Sequence, residues 1–284
     1  MQPPAQEPSD GHEFYRAAIA VLRDASLEFL VGGAFALRVY AGIKRDTKDI
    51  DLMVRPQDIE RALAAFHTAG FHAELTFPHW LAKVRQGGHF MDLIFRSGNG
   101  LCDVDDEWFE HSRETDVLGM PLPVCPPEEM LWQKAYLMER ERFDGADVQH
   151  LLRSCGRLMD WHRLLRRFGP DWQVLFSHLV LFTYVYPGER KIVPPWVMDR
   201  MVAKLRSDED CDAGHLCRGT LLSRLQYLDD VEQWGYVDAR LAQDVQISAA
   251  ELRDWTEEAR KQAQRAFMDH AAKEASASVL SGQA

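Results

Sequence analysis

At 284 residues the chain is long enough for one large domain or two ordinary ones, and it is 46% hydrophobic and 27% charged, near the averages for globular proteins. These proportions argue against a disordered chain, a collagen-like fibre or a membrane-spanning bundle. Lys plus Arg number 33 against 44 Asp plus Glu, a net charge of −11, which weighs against a surface given over wholly to nucleic acid.

In chain order, residues 14–23 have the composition of an opening helix. Leu27-Glu28-Phe29-Leu30-Val31 then reads as a strand that runs into Gly32-Gly33 and a helix from Ala34 to Arg38. A second strand is expected over residues 49–54, followed through Pro56 by an amphipathic helix over 57–69 with Ile59, Leu63 and Phe66 on one side. Residues 81–85 and 89–95 read as a hairpin around Gln86-Gly87-Gly88. The prolines of the segment 121–127 mark a boundary, because neither a helix nor a central strand tolerates them. Beyond it the periodicity is helical over 128–142, 147–154, 161–168, 172–186, 195–205, 220–232 and 249–273. The expected organisation is a disordered start (1–13), an α/β (α+β) domain with a mixed sheet (14–120), an all-helical domain (121–273) and a disordered tail (274–284).

Five cysteines without a C-x-x-C pair predict no disulfide framework, and the first 13 residues lack the regions of a signal peptide. The longest apolar stretch, 174–186, is shorter than the roughly 20 residues of a membrane helix and carries His178. A cytoplasmic location with no membrane partner is therefore expected.

The informative chemistry lies in Asp49-Ile50-Asp51. Alternation along a strand puts both carboxylates on one face, with Ile50, Leu52 and Val54 on the other. Two carboxylates so placed repel unless a cation lies beside them, and hard oxygen donors suit Mg²⁺; the alternative is an exposed pair on an edge strand. Asp92 lies within the apolar run Phe90-Met91-Asp92-Leu93-Ile94-Phe95, where an unpaired charge costs several kcal/mol. Either it joins the same cations, or it is paired with Arg85 or His89 across the hairpin. Gly32 and Gly33, at a strand-to-helix turn, let backbone N–H groups approach a phosphate, though such a pair also makes an ordinary tight turn. Lys44, Arg45 and Lys48 and the hydroxyl of Thr47 stand before the D-x-D, able to meet a polyphosphate or orient an Asp, or else to form a solvated loop.

Val31-Gly32-Gly33, then Arg45-x-Thr47-x-Asp49-Ile50-Asp51-Leu52, then Asp92 in an apolar strand, together resemble the nucleotidyltransferase superfamily of DNA polymerase β-like enzymes. Within it the chain is most similar to the bacterial AbiEii-type, MenT-type and antibiotic nucleotidyltransferase branch. The resemblance implies that Gly32 and Gly33 hold phosphates, that Asp49, Asp51 and Asp92 ligate two Mg²⁺ ions, and that Asp92 helps deprotonate an acceptor hydroxyl. It also implies a later helix Lys followed by an Arg/Asp-rich segment, matched by Lys134 and Asp147; the Lys would reach the triphosphate and Asp147 would orient it. On the residues alone, Lys134 reads equally as reaching solvent, and Asp144 or Asp147 as helix caps.

The expected activity is transfer of a nucleoside monophosphate from an NTP to an acceptor that is RNA (tRNA among them), a protein or a small molecule, with release of pyrophosphate. The alternative is a non-catalytic nucleotide- or partner-binding module of the same fold, antitoxin-like or a sensor, with a cognate partner protein. The arginines at 153, 157, 163, 166 and 167 offer a basic surface for an anionic acceptor, or a solvated helix face. Cys211, His215 and Cys217 lack the spacing and fourth ligand of a zinc site.

Overall fold

A computed structural model describes residues 10–45, 47, 49–207, 214–242, 248, 250–261, 264 and 268. Lys48, Cys211, the first nine residues and the expected tail 274–284 lie outside the described residues.

The chain opens with α1 (Asp10–Asp24), whose Phe14, Ala18, Ile19 and Leu22 recur at helical spacing and are buried. Then come β1 (Leu30–Val31), α2 (Gly33–Ala41), β2 (Asp51–Met53) and α3 (Ile59–Thr68). Three strands follow, β3 (His72–Phe77), β4 (Leu81–Gln86) and β5 (His89–Ile94), then α4 (Asp106–Glu110) and the hairpin of β6 (Arg113–Val117) and β7 (Met120–Val124). They form one seven-stranded sheet in the order β3-β4-β5-β2-β1-β7-β6. β5 runs parallel to β2 and β7 parallel to β1, so the sheet is mixed. The fold is thus the mixed α/β sheet with helices that the sequence predicts.

The centre of the sheet is apolar on one side by alternation, with Ile50, Leu52, Met91 and Leu93 all fully buried. Turn chemistry sets the register of the β4–β5 hairpin. Gly87 and Gly88 both have positive φ (57° and 87°), as a two-residue type I′ turn needs, which pairs Gln86 with His89 and Lys83 with Asp92. On the outer strand β3 the pairing with β4 shifts between Leu75 and Phe77.

The proline segment does not stop the sheet. β7 carries Pro121 and Pro123 and pairs along its length with β6 across the Leu118-Gly119 turn. Because Val117 faces Met120 beside that turn, Pro121 and Pro123 fall at alternate positions that donate no N–H to β6. On the opposite side β1 is only two residues long and accepts from Cys125 N, beyond both prolines. β3, α4 and β6 were not expected from the sequence, and β1 is shorter than its expected span.

Five helices follow: α5 (Pro127–Ala135), α6 (Gly145–Cys155), α7 (Trp161–Phe168), α8 (Trp172–Val185) and α9 (Pro195–Arg206). α5 ends short of residue 142, where the chain turns back so that Asp144 N donates to Leu137 O. By their contacts the described residues form two compact units. The first runs to Met138 and resumes from Arg142 to residue 207, so the sheet and α1–α9 share it and the proline segment lies inside it.

The second unit comprises Glu139–Glu141 and the described residues from 214 onward. It includes a parallel pair, β8 (Leu216–Cys217) with β9 (Val237–Asp238), and the short helices α10 (Leu228–Glu232) and α11 (Ala239–Ala242). The continuous helix expected over 220–232 is absent, for a definite reason. The Arg224 N–H, which a helix would direct to the carbonyl of residue 220, goes to Glu139 Oε1 at 3.1 Å, and Ser223 Oγ donates to Glu139 Oε2 at 2.6 Å. Of the helix expected over 249–273, residues 250–261 are helical. Among the described residues the cysteines are free and buried, and no helix is long and apolar enough to cross a membrane.

Candidate active site

β1 delivers the chain to Gly32, whose N–H donates to Asp51 O at 2.9 Å, and α2 begins at Gly33. The two glycines are not equivalent. A Cβ on Gly32 would meet only the flexible end of Met53, whereas one on Gly33 would lie 1.6 Å from Asp51 Oδ2. Gly33 also has φ +52°, in the left-handed region, so both its backbone and its missing side chain make room for the Asp51 carboxylate at the start of α2. Gly32 gives that helix no side-chain cap, so a carboxylate there meets its favourable N-terminal field.

Asp51 pairs in register with Asp92 across the parallel strands β2 and β5, and Asp92 N donates to Ile50 O at 3.0 Å. Asp49 sits in the bend before β2, where Thr47 Oγ1 donates to its Oδ1 at 2.8 Å and its main-chain O at 3.0 Å. Of the roles open to Thr47, the structure displays the orienting one. One carboxylate oxygen from each of Asp49, Asp51 and Asp92 lies within 4.8 Å of the others. Three hard anionic donors this close fit a divalent cation.

Their electrostatics reflect the crowding. Burial, then the neighbouring Asp49 and Asp92 charges, push the Asp51 carboxyl up to about 6, against the pull of Lys134 and Arg142. Burial also raises Asp92, partly offset by Lys83. Lys83 Nζ donates to Asp92 Oδ1 at 2.5 Å, so the cross-hairpin partner is neither Arg85 nor His89. Arg85 instead pairs with Glu74 on β3.

A second cluster joins the β2 approach to α5 and α6. Lys134 Nζ donates to Asp144 Oδ2 and Asp147 Oδ2, both at 2.8 Å. Arg45 makes a two-pronged contact with Asp147, and Arg142 another with Asp144, its Nε and Nη2 each at 3.0 Å. Burial would raise Asp144, but these donors bring its carboxyl down to about 2. Lys134 therefore turns inward rather than to solvent, and Asp147 accepts from both predicted cations. Neither Asp144 nor Asp147 makes the side-chain N-cap of α6.

The sequence reading missed Lys83, gave Arg142 no role of its own and offered Asp144 only as a helix cap. Lys83 was readable from the hairpin, since a two-residue Gly87-Gly88 turn fixes its partner as Asp92. The expected basic surface is divided: Arg166 is exposed and paired with Glu107, while two of the five arginines turn inward. Arg163 is buried against Glu128 and Glu129, and Arg167 is paired with Asp105, Glu107 and Glu129. Arg153 and Arg157 remain exposed.

A mixed sheet with a Gly-Gly turn entering a helix and carboxylates on two adjacent parallel strands is the architecture of the nucleotidyltransferase superfamily. Residues 26–179 match the model of the family described as "uncharacterised nucleotidyltransferase", and the chain belongs to that family. Among solved structures it is similar to the antibiotic-resistance factor ANT(2'')-Ia, with 17% identity, 59% of this chain and 95% of that one covered, and a TM-score of 0.39. It is similar also to the lincosamide antibiotic adenylyltransferase LnuA (14% identity, 50% and 96% covered, TM-score 0.36). JHP933 from Helicobacter pylori is a further similar structure (12% identity, 74% and 99% covered, TM-score 0.37). A search of curated proteins finds no match.

Proposed function

We propose that the protein transfers a nucleoside monophosphate from an NTP to an acceptor, releasing pyrophosphate, with Asp49, Asp51 and Asp92 as the carboxylates that hold Mg²⁺. The observation that carries this reading is the convergence of the three carboxylate oxygens within 4.8 Å. A divalent ion bound there supplies positive charge for the attacking oxygen and the leaving group of a phosphoryl displacement.

The chain's own residues divide the remaining work. Thr47 fixes the Asp49 carboxylate, and Gly33 leaves the space that Asp51 occupies. Gly32, Gly33 and the uncapped start of α2 form the surface for the phosphates. Arg45 and Arg142 keep 46% and 65% of their side chains exposed, so each can reach a phosphate while its other face stays on Asp147 or Asp144. Lys134, held by both carboxylates, adds positive field toward Asp51 and acts as a fixed charge rather than a swinging arm. Asp92 Oδ2, the oxygen not bonded to Lys83, is the candidate to take the acceptor's proton. The acceptor is a hydroxyl of RNA, a protein or a small molecule.

The test is a thermal-shift titration of wild type and the Asp49→Asn/Asp51→Asn variant with each NTP, with and without Mg²⁺, followed by a radiolabelled transfer assay. Saturation at a hundredfold over Kd adds about 2.7 kcal/mol. A Mg²⁺-dependent shift that the variant loses supports the donor site. A shift equal in both proteins removes the carboxylates from it.

A further inference from the structure

The sheet places four charged side chains in a single row across adjacent strands. Glu74 on β3 faces Lys83 on β4, Lys83 faces Asp92 on β5, and Asp92 faces Asp51 on β2. Direct cross-strand partners share one face of a sheet, so the row reads minus, plus, minus, minus along it. Lys83 thus has a carboxylate on either hand, yet it contacts only one as an ion pair. Arg85 pairs with Glu74, and Lys83 is left to Asp92, with Nζ 2.5 Å from Oδ1 and 4.8 Å from the Phe90 ring centroid. Carboxylate and ammonium are largely buried, with side-chain exposures of 13% and 20%.

We propose that Lys83 is a positioning residue of the carboxylate site, its ammonium acting as a built-in monovalent counterion for Asp92. This inference rests on the function proposed above. The ammonium holds Asp92 through Oδ1, beside the place where one oxygen of each of the three carboxylates converges. It also lowers the net charge that the trio presents from three negative to two, the charge that one divalent ion balances. Glu74 and Arg85 serve this arrangement indirectly, because Arg85 keeps Glu74 from drawing Lys83 out of the row.

Lys83→Met keeps the apolar stem and removes the charge. Without the ammonium the trio attracts a cation more strongly, because like charge a few ångströms away no longer opposes it. Mn²⁺ alone, titrated by electron paramagnetic resonance without nucleotide, is expected to bind Lys83→Met about tenfold more tightly than wild type. Because Asp92 is then unmoored, kcat falls while KM for the NTP changes little. Lys83→Arg restores the charge and brings the Mn²⁺ affinity back to within about threefold of wild type. Arg85 bonds no member of the trio, but its charge also favours ionised Asp92, so Arg85→Met both removes that charge and frees Glu74 to compete for Lys83, and tightens Mn²⁺ in the same direction by a smaller factor.

An Mn²⁺ affinity in Lys83→Met equal to or weaker than that of wild type overturns the proposal. If Lys83→Met does not fold, unchanged Mn²⁺ binding in Arg85→Met overturns it instead. The function itself fails differently, since there wild type binds no Mn²⁺, or Asp51→Asn binds it as wild type does.

Discussion

Gly33 is the residue on which the site's geometry turns. Its Cα stands where any side chain would collide with Asp51 Oδ2, at a backbone φ of +52°. Gly33→Ala is expected to cost at least the roughly 1–2 kcal/mol of forcing a Cβ into that conformation. It should also displace Asp51 and abolish the Mn²⁺ signal; urea unfolding and the cation titration read the two effects separately. Gly32→Ala, facing only the end of Met53, should be milder on both. Asp144 makes a separate prediction about pH. Its folded-state carboxyl is near 2, below an ordinary Asp, so it adds stability above about pH 4 that is lost as pH falls toward 2. That contribution is about 2 kcal/mol. The stability gap between wild type and Asp144→Asn should therefore narrow steadily below about pH 4 in urea melts. The sequence displayed the residues whose chemistry is costly to place, namely Asp49, Asp51, Asp92, Gly33, Lys134 and Asp147. It hid Lys83 and the pairing of Asp144 with Lys134 and Arg142, since surface-type charges become site residues only through register and chain reversal.

At the scale of elements, the Gly87-Gly88 turn decides which residue meets Asp92. Neither glycine has an atom near the place of a Cβ, so substitutions there test backbone strain without collision. Gly87→Asn makes an Asn-Gly turn suited to type I′ geometry and should leave stability within about 0.5 kcal/mol. Gly88→Val should cost about 1–2 kcal/mol, because a β-branched residue resists positive φ. Equal unfolding midpoints in chemical denaturation would remove the turn as the origin of register. The glycine-bounded strands β4 and β5, the apolar strand β2 and the periodic helices α1–α3 were legible from their own residues. β7 was not, because its prolines contradict a central strand unless the pairing on each side is already known. The short helix α4 and the polar strand β6 carry too little periodicity to be read alone.

For the whole molecule, the contacts keep the proline segment inside the unit that holds the sheet, while the composition placed a boundary there. A fragment ending at residue 120 would strip β7 from between β1 and β6 and remove α5 and α6, which carry Lys134, Asp144 and Asp147. Such a fragment is expected to show no cooperative thermal transition by circular dichroism, whereas the full chain does. A sharp transition in the fragment would mean that the two-residue β1 can close the sheet without its outer hairpin. The rims of that sheet have their own consequence. β3 is stepped out of register at Leu75–Phe77 and shows His72 and Glu74 to solvent, and β6 shows Arg113, Glu114 and Asp116. Two copies meeting rim to rim would find a broken ladder at one border and a row of charges at the other. The same sheet that lines up charges for chemistry thus ends in borders that disfavour edge-to-edge pairing.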